Sequence, residues 1–78
     1  MITSAQIRAG RALLRWSAQD LADRSTVGVA TIRRLEIDEG IPSSNARTLD
    51  ALKKALEAAG VEFIGTPEQG PGVRLHHR

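Results

Sequence analysis

The chain contains neither cysteine nor tyrosine, and its two large aromatic residues are Trp16 and Phe63. Without cysteine, neither a disulfide framework nor a thiolate metal site can stabilise it. The shortage of aromatic rings argues against a protein that stacks the bases of single-stranded nucleic acids. The two histidines, His76 and His77, are neighbours that would point to opposite faces of a strand, so they do not form a metal site. We expect no metal and no cofactor.

Long apolar runs are also missing. Charged residues interrupt every hydrophobic stretch, so we expect no membrane-spanning segment and a cytoplasmic protein. There is no cluster of histidines and no glycine-rich phosphate loop before a helix, so we do not expect an enzyme. The 78 residues suffice for one domain, near the lower limit for a core without cross-links, and a partner subunit would add stability.

The charge is unevenly distributed along the chain. The formal net charge is only +2, but up to residue 35 six arginines stand against two aspartates, a balance of +4. The remaining residues include five basic and seven acidic side chains, a balance of −2. A basic first half is typical of a surface that faces a polyanion. The acidic remainder of the chain would then have another role. An ordinary solvated surface explains the same charges equally well.

The spacing of apolar residues predicts four helices, at about residues 4–15, 17–24, 28–36 and 45–59. Thr3 and Ser17 have hydroxyl groups suited to accept from free amides at the starts of the first two helices. Ser43 or Ser44 is expected to cap the fourth. The expected fold is therefore mainly α.

Beyond Gly60 the spacing changes to two short β-prone stretches around a turn-rich loop, which predicts a β-hairpin at residues 61–78. We therefore divide the chain into a helical domain at 1–60 and a hairpin extension. Two strands are marginal alone, so the hairpin must pack on the helices or on a partner. We expect it to form a homodimer interface, with the fourth helix as the alternative. The expected interface residues are Val61, Phe63, Ile64, Val73 and Leu75.

The third predicted helix has an outward face of unusual composition. Ile32 and Leu35 define its buried side at i, i+3 spacing. At about 100° per residue, the residues that point most directly away from this side are Ala30, Arg33, Arg34 and Ile37. Two adjacent arginines on such a face fit contact with a polyanion, although ordinary surface helices carry such pairs too.

Residues 17–36, SAQDLADRSTVGVATIRRLE, contain a series of elements in a fixed order. These are a serine cap, a Leu-Ala pair, a turn with valine, and the ending Thr-Ile-x-x-Leu-Glu at 31–36. In this order the segment resembles the helix-turn-helix of the lambda-repressor-like (XRE, or Cro-type) DNA-binding proteins, over about residues 5–60. The resemblance implies a small four-helix domain whose third helix enters the major groove. The chain departs from the family at Ala18, where a glutamine usually contacts phosphate, and at Thr26, where a glycine usually takes a left-handed backbone.

The resemblance also implies which residues act. The base-reading residues would be Val29, Ala30, Arg33 and Arg34. Arginine can donate two hydrogen bonds to O6 and N7 of guanine, and small apolar side chains suit a thymine methyl group. An ion pair between Arg11 and Glu36 would tie the first helix to the end of the third, with a DNA contact as the alternative role for Arg11.

Phosphate contacts are expected at helix N-termini, where free amides and the positive end of the helix dipole favour anions. The candidates at or beside these positions are Ser17, Gln19, Thr31, Ser43, Ser44, Asn45 and Arg47.

These features predict a transcriptional regulator that binds double-stranded DNA sequence-specifically. The simplest form is a repressor that occupies a palindromic operator as a homodimer, because one small module offers limited contact area. Two alternatives stay open. The same fold could be an antitoxin or corepressor held by a toxin or another protein, or it could be an antiactivator that acts by protein–protein interaction alone. Ala18, Val29 and Ala30 mildly favour the last.

Overall fold

The structure is a computed structural model that describes residues 2–42 and 44–76. Its elements in chain order are α1 (Ser4–Leu14), α2 (Ala18–Ser25), α3 (Val29–Ile37), α4 (Ala46–Ala58), β1 (Val61–Ile64) and β2 (Gly72–Leu75). The fold is therefore mainly α, with one antiparallel two-stranded sheet. Each predicted helix is present with its ends shifted by one residue at most. Within the described residues, no helix is long and apolar enough to cross a membrane.

The first two helices begin with reciprocal side-chain caps. The Thr3 hydroxyl accepts from the Gln6 amide at 3.1 Å, and the Gln6 side chain accepts from the Thr3 amide at 2.8 Å. Ser17 and Asp20 repeat the arrangement at 3.0 and 2.8 Å. Each pair satisfies two backbone donors that the first helical turn leaves free. The predicted caps at Thr3 and Ser17 are confirmed.

The cap of α4 differs from its prediction. Asn45 is the N-cap, and its side-chain oxygen accepts from the Thr48 amide at 2.8 Å. Asparagine caps a helix about as well as serine does, and Asn45 directly precedes the first helical residue. The prediction of Ser44 as the cap is therefore wrong, and the prediction for Ser43 falls outside the described residues.

Two helices end in a left-handed residue that is not glycine. Arg15 follows α1 with φ 58°, and Thr26 follows α2 with φ 63°. The Thr26 amide donates to the Ala22 carbonyl at 2.9 Å, which satisfies one free carbonyl at the end of α2. The turn therefore keeps the left-handed geometry although a β-branched residue occupies it. This conformation strains the backbone at Thr26.

The core lies where the four helices and the hairpin meet. Ile32 and Leu35, predicted as the buried side of the third helix, are fully buried. The buried hydrophobic residues are Ile2, Ile7, Leu21, Ala22, Ile32, Leu35, Leu49, Leu52, Leu56 and Val61. Helix α2 packs on both α3 and α4, while α1 packs on α3, α4 and the hairpin. Every element therefore contributes to one core.

The hairpin packs on the chain's own helices. Val61 pairs with Leu75 and Phe63 with Val73, and all four side chains lie on or in the core. The Gln6 side-chain nitrogen donates to the Gly72 carbonyl at 2.9 Å and to the Ile64 carbonyl at 3.3 Å. The same side chain therefore caps α1 and ties it to both strands.

The long hairpin loop depends on Gly65. Its φ is +74°, and a Cβ atom there would lie 2.2 Å from the backbone oxygen of Gly70. Only glycine accepts both that conformation and that approach. The loop closes with a hydrogen bond of 3.1 Å from the Gln69 amide to the Thr66 carbonyl.

Candidate nucleic-acid interface

Helix α3 presents one exposed stripe. We call Ala30, Arg33, Arg34 and Ile37 the outer stripe; all four are exposed, and they lie at i, i+3, i+4 and i+7. The opposite side carries Ile32, Leu35 and Glu36, which are buried. Val29, which was predicted to read bases, and Thr31, which was predicted to contact phosphate, are half-buried at the flanks of this stripe. The helix therefore separates a core-facing side sharply from a basic and apolar surface.

The two arginines of the outer stripe differ from Arg8, Arg11 and Arg24, which make contacts within the chain. Arg8 and Arg11 donate to Glu36, and the Arg24 guanidinium lies 5.0 Å from the centre of the Trp16 ring. Within residues 2–42 and 44–76, neither Arg33 nor Arg34 has an acidic partner within ion-pair distance. Their charges are therefore available to an external anion.

Arg11 and Glu36 form a two-pronged ion pair between α1 and α3. Arg11 Nε and Nη2 each donate to a Glu36 carboxylate oxygen at 2.7 Å. Arg11 Nη1 also donates to the Trp16 carbonyl at 2.9 Å. The side chains are 22% and 9% exposed, so water screens the pair weakly. Arg11 thereby links the end of α3 to the corner between α1 and α2.

The hydrogen bond to Glu36 also acts on the charge of Arg11. It raises the pKa of the Arg11 guanidinium, and the nearby carboxylate adds to that effect while partial burial opposes it. A raised pKa for a cation means that its stabilising charge is present below the unfolded-state pKa and is lost only as pH rises through the folded-state pKa. Because arginine already has a very high pKa, Arg11 remains charged throughout the neutral range.

The first turns of α1 also hold the C-terminal end of α3. The Ser4 hydroxyl donates to the Leu35 carbonyl at 2.8 Å, and Arg8 Nη1 donates to the Glu36 carbonyl. The Ser4 amide donates to the Gly40 carbonyl at 2.8 Å. Helix α3 ends at Asp38 with an extended backbone and without a left-handed cap. Side chains from α1 therefore satisfy carbonyls that a local cap satisfies in α1 and α2.

The predicted phosphate contacts on α2 lie at its exposed N-terminus. Ser17 is exposed, and its hydroxyl accepts from the Asp20 amide, which leaves the hydroxyl hydrogen free to donate. The Gln19 side chain donates to Asp23 at 3.0 Å and is exposed. Ala18 packs against the core and offers no hydrogen bond from its side chain. A phosphate at this end would therefore meet backbone amides together with the Ser17 hydroxyl and the second hydrogen of the Gln19 side-chain nitrogen.

The remaining predicted phosphate contacts lie before and in the first turn of α4. Arg47 and Asn45 are exposed, and Ser44 is half-buried. Asn45 uses its side-chain oxygen for the helix cap, which leaves its amide nitrogen for another contact. Ser43 falls outside the described residues. Helix α2 packs on both α3 and α4.

The predicted dimer residues divide between the two faces of the hairpin. Val61 is 2% exposed, and Phe63, Val73 and Leu75 also face the core. Of the five, only Ile64 lies on the outer face, which it shares with Glu62. A partner that covered the four inward side chains would have to displace the hairpin from α1 and α4.

The sequence did not predict contacts between residues that lie far apart along the chain. Ser4, Gln6 and Arg8 were not predicted to hold α3 or the hairpin, although Gln6 has capping-box spacing with Thr3. Their partners lie between 28 and 66 residues away in sequence, and hydroxyl, amide and guanidinium groups accept many geometries. No spacing rule identifies such partners.

Within residues 2–42 and 44–76, no group of three or more His, Cys, Asp or Glu side chains is placed to hold a metal ion. The hairpin's His76 instead contacts Glu62, with 2.7 Å between Nε2 and the carboxylate oxygen. The prediction about His77 falls outside the described residues. No protein-family model, curated protein or solved structure matches the chain.

Proposed function

We propose that the chain is a transcriptional regulator that binds double-stranded DNA sequence-specifically, with α2 and α3 as a helix-turn-helix of the lambda-repressor-like kind. The observation that carries the proposal is the outer stripe of α3. It is exposed, contains two arginines without acidic partners among the described residues, and belongs to a helix anchored to the core on its other side. An α-helix with such a face fits the width of the major groove.

The exposed face of α3 and the helix N-termini beside it have different roles in this proposal. Arg33 and Arg34 would donate to guanine O6 and N7, while Val29 and Ala30 would contact thymine methyl groups. The N-termini of α2 and α4 would hold phosphates on either side, through Ser17 and Gln19 and through Asn45 and Arg47. The contacts of α1 with Glu36 would fix the angle at which α3 leaves the core.

Useful specificity from so small a surface requires two copies. We propose a homodimer on a palindromic operator with half-site centres about 34 Å apart, acting most simply as a repressor. The free edges of β1 and β2 suit pairing with a second copy, and the exposed side of α4 is the alternative. The proposed activity is binding without catalysis.

The test is selection from random duplex DNA, followed by titration of the enriched site at several salt concentrations. We expect an enriched palindrome, with an affinity that falls linearly in a plot of log K against log salt. The double variant Arg33→Ala/Arg34→Ala should no longer bind the enriched site in preference to other sequences. Lys54→Ala/Arg74→Ala removes the same charge from exposed positions on α4 and β2, outside the outer stripe, and should keep the half-site preference even where self-association weakens. Failure of the wild-type chain to enrich any sequence would overturn the proposal.

A protein-interaction role makes a different prediction for the same experiment. An antitoxin or corepressor would still enrich an operator and would also form a stable hetero-complex. An antiactivator would show neither an enriched site nor a steep dependence on salt. The selection therefore separates the antiactivator from the two operator-binding roles, and isolation of a stable hetero-complex separates an antitoxin or corepressor from a homodimeric repressor.

A further inference from the structure

Ile37 is exposed to an extent that its residue type does not explain. The residue is 81% exposed, whereas the next most exposed large apolar residues among those that the structure describes, Leu13 and Ile41, are each 42% exposed. Ile37 is the last residue of α3 and lies one turn beyond Arg33 and Arg34. The side chain therefore extends the outer stripe as an apolar surface beside two cations.

We infer that Ile37 is a specificity-determining residue that contacts a thymine methyl group in the half-site. The inference rests on the proposed function and adds a base-pair preference to it. Some DNA-binding helices contact base edges in the major groove through four residues at i, i+3, i+4 and i+7. The four residues of the outer stripe have the same spacing. Apolar side chains in such positions contact the C5-methyl group of thymine.

The position of Ile37 sets where that thymine lies. Ile37 is seven residues beyond Ala30, which is about 10 Å along the helix axis. For a helix lying along the groove, this separation corresponds to roughly three base pairs. The preferred A·T pair therefore lies roughly three base pairs from the base that Ala30 contacts, and beyond the bases that Arg33 and Arg34 contact.

The neighbouring charges favour a base edge over the backbone. Glu39 follows the end of α3 and is exposed, and its carboxylate would repel a phosphate. Glu36 is the one acidic residue within α3, and it is buried against Arg11. The outer stripe itself therefore carries no negative charge, and its apolar end is suited to the methyl-lined floor of the groove.

The experiment uses the full chain and the operator obtained by selection. Each thymine of the half-site is replaced in turn by deoxyuridine, which lacks only the methyl group, and the dissociation constant is measured. For the wild-type chain we expect one position where binding weakens about fourfold, the value for one methyl group removed from an apolar contact. Ile37→Ala should bind the thymine and deoxyuridine operators equally well at that position.

Leu13→Ala is the matched control, because it shortens another exposed apolar side chain on α1. It should keep the full sensitivity to the methyl group, and thermal unfolding should show that both variants fold. If Ile37→Ala keeps the same sensitivity as the wild-type chain, or if no thymine methyl matters to the wild-type chain, the role of Ile37 is overturned while the operator stands. Weaker self-association of Ile37→Ala with unchanged base preference would also overturn it. A wild-type chain that selects no operator overturns the proposed function and this inference together.

Discussion

Thr26 holds a left-handed backbone conformation, with φ 63° and ψ 12°, although its β-branched side chain is crowded there. The residue is exposed, so its side chain contributes little packing in return. Strain of this kind costs about 1–3 kcal/mol. Glycine removes it but loses more entropy on folding, by about 0.5–1 kcal/mol. We expect Thr26→Gly to raise the free energy of unfolding by about 0.5–2 kcal/mol, as measured by urea denaturation.

Arg15 provides the comparison for Thr26. Its φ of 58° is similar, but its side chain branches farther from the backbone and is less crowded. Arg15→Gly should therefore stabilise the chain less than Thr26→Gly does. An equal gain, or a loss in Thr26→Gly, would show that the turn stores no strain specific to threonine.

The ion pair of Arg11 and Glu36 gives a second prediction for single residues. Arg11→Met leaves a carboxylate that is 9% exposed without its cation, and it removes the donor to the Trp16 carbonyl. Breaking a buried pair costs about 3–5 kcal/mol, and the partial exposure of Arg11 reduces that to about 2–4 kcal/mol.

Arg11→Met/Glu36→Leu tests the origin of that loss. It removes both charges together, and we expect it to recover most of the stability in a double-mutant cycle, because no charge is left buried. If the single variant unfolds at the wild-type urea concentration, the pair is not a structural element of the fold.

At the scale of helices and strands, local contacts are predictable from the sequence and distant contacts are not. The caps at Thr3 and Ser17 use partners three residues away, so a spacing rule finds them. The contact of Ser4 with Leu35 spans 31 residues and depends on how α1 crosses α3. Alternation predicted the two strands, but only the position of the helices decides that the face of Phe63 and Val73 packs inward.

The same limit applies to the outer stripe. Helical periodicity identified Arg33, Arg34 and Ile37 as outward-facing, because the apolar positions of α3 alone define its buried side. Periodicity does not reveal that Arg8, Arg11 and Arg24 are occupied by contacts within the chain. That difference, which distinguishes Arg33 and Arg34 from Arg8, Arg11 and Arg24, required the structure.

Arg33 and Arg47 lie on different helices of the proposed interface, and we expect them to affect the salt dependence of DNA binding differently. Arg33 lies on the outer stripe and would read a base, whereas Arg47 lies in the first turn of α4 and would contact a phosphate. We expect Arg33→Ala to reduce discrimination at one base pair by about 1–3 kcal/mol. The slope of log K against log salt should change little.

Arg47→Ala removes the same charge and is the internal control. It should weaken operator and nonoperator DNA alike and reduce the magnitude of the salt slope by about one. Both slopes come from titrations of the selected operator and a scrambled duplex. If Arg33→Ala weakens both duplexes equally, Arg33 contacts a phosphate, and the assignment of α3 as the reading helix loses its main residue.

For the molecule as a whole, the structure predicts that the helices depend on the hairpin for stability. Val61 is buried in the shared core, where its Cγ1 atom would lie 3.6 Å from a Cβ atom placed on Gly10. Deleting residues 61–78 exposes this part of the core and removes both strand carbonyls that accept from Gln6. Loss of Val61 alone costs about 1.5–3 kcal/mol, a large share of the stability of so small a chain.

We therefore expect the truncated chain to unfold at a much lower urea concentration than the full chain, or to be unfolded in buffer. Glu68→Ala/Gln69→Ala changes two exposed residues of the hairpin loop and should leave the unfolding midpoint unchanged. Equal midpoints for the truncated and full chains would mean that residues 1–60 fold independently. The hairpin would then be an appendage available to a partner. The burial of Val61 argues instead that helices and hairpin fold as one cooperative unit, so a dimer must use surfaces that this unit leaves exposed.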